Sequence, residues 1–239
     1  CLNRRSVKNL KMNIMTDDQS LLLLVGPLAT QILESCTGLD LEGVPPLTFV
    51  KVSIAGSPVR LVRVNDIDAC AWELHHIKKY QIAIYSNLIK EHMVSDFGMR
   101  AYESMRLERG IAKFGIDFTL ETSLASNALS HLVGLQNPGS QCTRAVVGDS
   151  SDYKLVYLTF DDHTIPIDPS GGEIIEVQGQ SVGMVTSGGY AYGATKTVAF
   201  AHIQSHHSEL GSQVQVRLLD RHFCARVTNA PLQGQTGVM

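Results

Sequence analysis

With 239 residues, the chain is long enough for one large domain or two modest ones, each with a buried core. Hydrophobic residues make up 44% and charged residues 18%, the composition of a globular protein. A net charge of −3, with basic residues scattered and Lys78-Lys79 an isolated pair, excludes a nucleic-acid surface. The long apolar run, Leu21 to Val25, is too short to span a bilayer.

Five cysteines (Cys1, Cys36, Cys70, Cys142 and Cys224) are odd in number and far apart, with no C-x-x-C pair. That spacing suggests neither a zinc site nor a disulfide framework, and fits reduced thiols in a cytosolic or matrix compartment. No signal peptide is visible, and the start at Cys1 points to a fragment whose N-terminal portion is missing.

In chain order, the alternating VKNLKMNIM predicts a strand, and Thr16-Asp17-Asp18 a turn. SLLLLVGP predicts a buried strand closed by Gly26-Pro27. Ala29, Ile32, Leu33 and Cys36 then repeat at the spacing of one helical face, and Gly38 stops that helix. TFVKVSIAGSPVRLVRVN reads as a hairpin around Ala55-Gly56-Ser57. CAWELHHI predicts another strand, with one of His75 and His76 facing outward. A helix from about Lys79 to Met93 follows, with Ile82, Tyr85 and Ile89 on one face. The order strand–helix–strand–strand–strand–helix suggests a ferredoxin-like unit.

Gly98 to Asp117, GMRAYESMRLERGIAKFGID, closes this half. Strong helix formers run from Gly98 to Gly110, where glycine ends the helix. Arg100, Glu103 and Arg106 stand three apart and can pair along one face. Ala101 and Ser104 permit close approach to another element, while Met99, Tyr102 and Met105 offer an apolar side. IAKFGIDFT alternates weakly and predicts a strand or extended crossing. Thr122 to Gly148 reads as a linker with one short helix.

From Tyr153 the texture changes. YKLVYLTF, EIIEVQ, QSVGMVTSG, KTVAFAHI, QVQVRLL and HFCARVTN are short β-rich runs separated by turn residues, the pattern of a small barrel or sandwich. Val185-Thr186-Ser187 with Gly188-Gly189 predicts a tight turn. GATKT lacks the spacing of a phosphate loop. His202, His206 and His207 are placed in a polar connector without an acidic partner, so no metal site is assigned.

As a string, Gly98, Arg100, Ala101, Ser104, Met105, Arg106, Leu107, Glu108, Arg109 and Gly110, followed by Phe114, Gly115 and Asp117, resembles a signature of the aminomethyltransferase family. These are folate-binding proteins that include the glycine-cleavage T-protein and the C-terminal module of dimethylglycine and sarcosine dehydrogenases. LLLLVGPLATQIL, VRLVRVNDIDACAWEL and GMVTSGGYAYGATKTVAFAHI resemble further family motifs, so the match runs from about Ser20 to Pro231.

The resemblance implies tetrahydrofolate as cofactor, with contacts at Asp68, Trp72, Tyr102, Arg106, Phe114 and Thr186. In the family a glutamate at the position of Ala69 bonds the pterin; here that contact falls to Asp68 or is lost. The family's ligand-facing arginine falls on Tyr102. Trp72 reads as core or as a stacking platform. Arg106 and Glu108, two apart, need separate partners, and a salt bridge to a neighbouring domain is the structural alternative.

The fold expected is α+β: a ferredoxin-like α/β subdomain and connector, then a C-terminal antiparallel β-barrel. The folate-binding domain would occupy residues 1–130 and the barrel domain 150–239. By resemblance the function is folate-dependent one-carbon transfer in a parent that oxidises an N-methyl amine substrate. FAD would sit only in a missing N-terminal oxidoreductase domain, since no G-x-G-x-x-G occurs here. The family's catalytic aspartate belongs to that missing part, so no catalytic residue is assigned and the isolated chain is expected to be inactive. The compartment implied is the mitochondrial matrix, or the cytoplasm of a bacterium. The alternative is a non-catalytic regulatory relative with a decayed folate site, like the regulatory subunit of pyruvate dehydrogenase phosphatase. A tRNA-modifying relative is disfavoured by the missing basic surface.

Overall fold

The computed structural model describes residues 13–64, 70–119, 122, 152–161 and 165–229. The chain divides into two compact units, 1–96 and 97–239. Each is described by itself.

The first unit contains β1 (Gln19–Val25), α1 (Ala29–Thr37), β2 (Phe49–Ile54), β3 (Ser57–Val64), β4 (Ala71–Ile77) and α2 (Gln81–Glu91). This is the element order read from the sequence. Its strands form one antiparallel sheet in the order β1-β4-β3-β2. Thr16 to Asp18 form the expected turn, whereas Asn13 to Met15 are not strand; the rest of that predicted strand, residues 7–12, lies outside the described residues. The β2–β3 connection is the two-residue Ala55-Gly56 turn, with φ of 49° and 71°, the left-handed pair that suits strand twist.

Period-two alternation sends Trp72, Leu74 and His76 to the core and Glu73 and His75 to the other face. Leu33, Leu61, Leu74 and Ile84 are fully buried around Trp72. Helix α1 buries the face foreseen, and Gly38 caps it at φ 71°. In α2 the buried face is Ile84 and Leu88; Ile82 is 80% exposed. Ile82, Tyr85 and Ile89 make one apolar stripe and Ile84 and Leu88 another, and the second is the one that is buried; a 3₁₀ turn at Lys78–Tyr80 leads into the helix.

The second unit begins with α3 (Met99–Glu108) and continues with β5 (Tyr153–Phe160), β6 (Ile174–Val177), β7 (Gln180–Ala191), β8 (Lys196–Gln204), β9 (Gln213–Leu218) and β10 (Arg221–Thr228). The six strands close into a barrel in the order β10-β5-β8-β7-β6-β9. Its interior is filled by Leu158, Ile175, Ala199, Ile203, Val216 and Ala225. Helix α3 packs on β7 and β8, so it belongs with the barrel rather than closing the first half. The linker predicted for Thr122 to Gly148 lies almost wholly outside the described residues.

Two expectations about the barrel unit are corrected. Residues 185–189 are not a turn but the middle of the twelve-residue strand β7. Ile111 to Thr119 is not a strand; it winds into a turn closed by the Gly115 N–H on the Phe118 carbonyl and the Asp117 N–H on the Lys113 carbonyl. Alternation over so few residues does not outweigh the glycine at 115, whose φ is 86°.

Candidate functional site

Helix α3 ends in a Schellman arrangement: the Gly110 N–H reaches the Leu107 carbonyl and the Ile111 N–H reaches the Arg106 carbonyl. Gly110 supplies the φ of 66° that this requires. The chain thus folds back beneath its own last turn and carries Asp117 to Arg106, eleven residues upstream. Arg106 and Asp117 are both buried, at 3% and 0% exposed.

Asp117 is the centre of this unit's polar interior. Its Oδ2 accepts from Arg106 Nη1 at 2.9 Å and from the Lys113 N–H at 2.8 Å. Its Oδ1 accepts from the hydroxyls of Thr186 and Ser187, each at 2.6 Å. Its backbone carbonyl accepts from His202 Nε2 at 2.8 Å. Two neighbours on a regular strand point to opposite faces. Here the β7–β8 register shifts between Val185 and Ser187, and that bulge lets both hydroxyls reach one carboxylate oxygen.

Four donors fill a carboxylate's acceptor positions. With both oxygens so engaged, Asp117 serves as a structural joint. It was legible as the last residue of the signature, but nothing in the string marks it as the one every neighbour converges on. His202 lies in β8 rather than in a connector. Among the described residues no three His, Cys, Asp or Glu side chains gather as a metal site.

The same joint ties α3 down along its length. Ser104 donates to the Tyr190 carbonyl at 2.7 Å, and Glu108 accepts the Gly193 N–H at 3.0 Å. Tyr157 donates to the Leu107 carbonyl at 2.7 Å; burial first, and then the charge of Glu108, push its phenol far above the ordinary range. Leu107 is 1% exposed. The buried side of α3 is therefore Arg106 and Leu107, and Met99, read as part of an apolar side, is 68% exposed.

Arg106 donates from Nε to Glu103 at 2.6 Å, and Lys113 also bonds Glu103. Burial alone would raise the Glu103 carboxyl; the hydrogen bonds from Lys113 and Arg106 outweigh it and hold the pKa below the ordinary 4.5. A lowered pKa contributes stability that is present above the ordinary value and lost as the pH falls through the folded one. Glu103→Gln should accordingly lower stability near neutrality and flatten the acid side of the profile, its difference from the parent shrinking as the pH falls below about 4.5. Urea melts across pH 3–6 test this, and an unchanged acid limb would refute it.

The six sequence-derived positions scatter. Arg106 and Thr186 meet at Asp117, each engaged in internal bonds; Arg106's partners lie in its own segment and not in a neighbouring domain. Arg106 and Glu108 do take separate partners. Tyr102 is half-buried on α3. Phe114 is 60% exposed, edge-on to Phe118 at 5.6 Å between ring centres. Trp72 belongs to the first unit, where it is fully buried and spends its N–H on Thr30 at 3.0 Å, so its geometry is that of a core residue. Asp68 lies outside the described residues.

The sequence matches the GCVT N-terminal domain over residues 2–137 and the glycine cleavage T-protein C-terminal barrel domain over 154–233. It is 30% identical over 227 residues to mitochondrial dimethylglycine dehydrogenase of Homo sapiens, covering 91% of this chain and 26% of that protein. It is 27% identical over 237 residues to an aminomethyltransferase of Halalkalibacterium halodurans, covering 96% of this chain and 64% of that one. The glycine cleavage system aminomethyltransferase T of Bartonella henselae superposes with a TM-score of 0.77 at 21% identity, covering 89% of this chain and 59% of that structure. Matched by both domains over nearly all of its length, this chain belongs to the glycine cleavage T-protein, or aminomethyltransferase, family.

Proposed function

We propose that the chain is a tetrahydrofolate-dependent one-carbon transfer module of a dimethylglycine- or sarcosine-dehydrogenase-like protein. The observation that carries this reading is its 30% identity to human dimethylglycine dehydrogenase across 91% of its own length. Because the chain spans only 26% of that relative, oxidation of the N-methyl amine and any FAD belong to the rest of such a parent. Folate enters as the acceptor: one of its nitrogens attacks an electrophilic methylene, and the protein holds the partners in register and assists the proton transfer.

The residues available fit a pterin in part. Phe114 presents an exposed ring for stacking, and Tyr102, half-buried on α3, carries a phenol within the same signature. Asp68 is the carboxylate the sequence offers to the aminopyrimidine edge. Arg106 and Thr186 serve indirectly, by fixing the turn that displays Phe114. The isolated chain is expected to turn over no amine, and the mitochondrial matrix is the compartment proposed.

Titration of the full-length parent with tetrahydrofolate tests this. Binding with 100-fold excess over the dissociation constant stabilises the folded form by about 2.7 kcal/mol, visible as a rise in melting temperature that Phe114→Ala diminishes. No heat and no thermal shift would overturn it and leave the second reading, a regulatory relative with a decayed folate site. Ala69, Tyr102 and the burial of Trp72 are the features that favour that alternative.

A further inference from the structure

On the face of the first unit's sheet opposite its helices, Lys51 of β2 is the direct cross-strand partner of Arg60 of β3, and Arg60 is the partner of His75 of β4. Like charges placed opposite one another destabilise a sheet. Among the described residues no carboxylate pairs with Lys51 or Arg60; Glu73, two residues along β4, bonds His75 at 2.8 Å. Arg60 is instead steadied by the Phe49 ring, 5.1 Å from the guanidinium carbon. The row borders a groove of about 390 Å³, within the range of small-molecule sites, whose other walls include Met15, Pro58 and Ile77.

We infer that this groove binds a small organic polycarboxylate. Its carboxylates lie along Lys51, Arg60 and His75, and its methylenes lie on Met15, Pro58 and Ile77. Neighbouring strands stand about 4.8 Å apart, so the row spans about 10 Å, the reach of two or three linked carboxylates. The counter-charge does not come from the stretch that leads into Met15: residues 1–15 contain Arg4, Arg5, Lys8 and Lys11 and no acidic residue. An anion that bridges Lys51 and Arg60 converts their repulsion into two charge-assisted contacts.

The test is calorimetric titration of the chain, at about 10 mM ionic strength so that screening is weak, with triglutamate and with citrate. Saturable 1:1 binding is expected, weakened about tenfold by Lys51→Gln and by Arg60→Gln. Both positions are exposed, and neither variant should melt lower than the parent without ligand. Tighter triglutamate assigns an extended polycarboxylate; tighter citrate assigns a compact one. Failure of both probes to bind, binding untouched by the two variants, or inorganic phosphate binding as tightly as triglutamate would overturn the proposal. Neither probe carries a pterin, so the result stands or falls apart from the one-carbon reading.

Discussion

Asp117→Ala is expected to cost the barrel unit about 3–5 kcal/mol, the range seen when one partner of a buried ion pair is removed. The size follows from what is left behind rather than from the bond itself. Arg106, 3% exposed, keeps its guanidinium charge but loses its fully buried partner, and its remaining carboxylate, Glu103, is 30% exposed. The Thr186 and Ser187 hydroxyls and the Lys113 N–H lose their acceptor together. Urea unfolding followed by far-ultraviolet circular dichroism measures the loss. Arg106→Met added to Asp117→Ala should recover part of it, because the larger share of the cost is a buried cation left with only the partly exposed Glu103 as counter-charge. A single-variant loss below about 1 kcal/mol, or no recovery in the double variant, would show that the joint is solvated and not structural.

That joint explains which parts of the molecule could be seen in the string. Element order was legible because each element carries its own local signal: Ala55-Gly56 for a hairpin, Gly38 and Gly110 for helix ends, six β-rich runs for six strands. The α2 face was not, because the helix carries two apolar stripes and only one is buried. The role of Arg106 was read in part. Spacing showed that it and Glu108 diverge, but the partner arrives through a turn whose weak alternation resembled a strand. The convergence of Thr186 and Ser187 was invisible for a sharper reason. It depends on a bulge, and a bulge is a property of two paired strands that neither sequence declares alone.

The glycines of GMVTSGG show the same limit, and they yield the second large effect. Gly183→Ala should abolish the barrel's cooperative folding or cost more than about 3 kcal/mol, the upper end of overpacking penalties. None of Gly183, Gly188 and Gly189 has a positive φ, so the turn geometry read from the sequence is not why glycine stands there. The reason is the closeness of backbone. A methyl on Gly183 would fall onto the His202 carbonyl oxygen, with Ile203 Cα 2.8 Å away, and neither atom can rotate aside. On Gly188 it would meet Pro169 Cγ at 2.7 Å and the Val198 carbonyl oxygen at 2.9 Å. On Gly189 it would meet only Leu107 Cδ1 at 3.3 Å, the end of a flexible side chain. The alanine series is therefore expected to rank Gly183 above Gly188 and Gly188 well above Gly189, whose cost should stay below about 1 kcal/mol. Equal losses at all three positions would mean that conformational freedom, and not space between strands, is what these glycines supply.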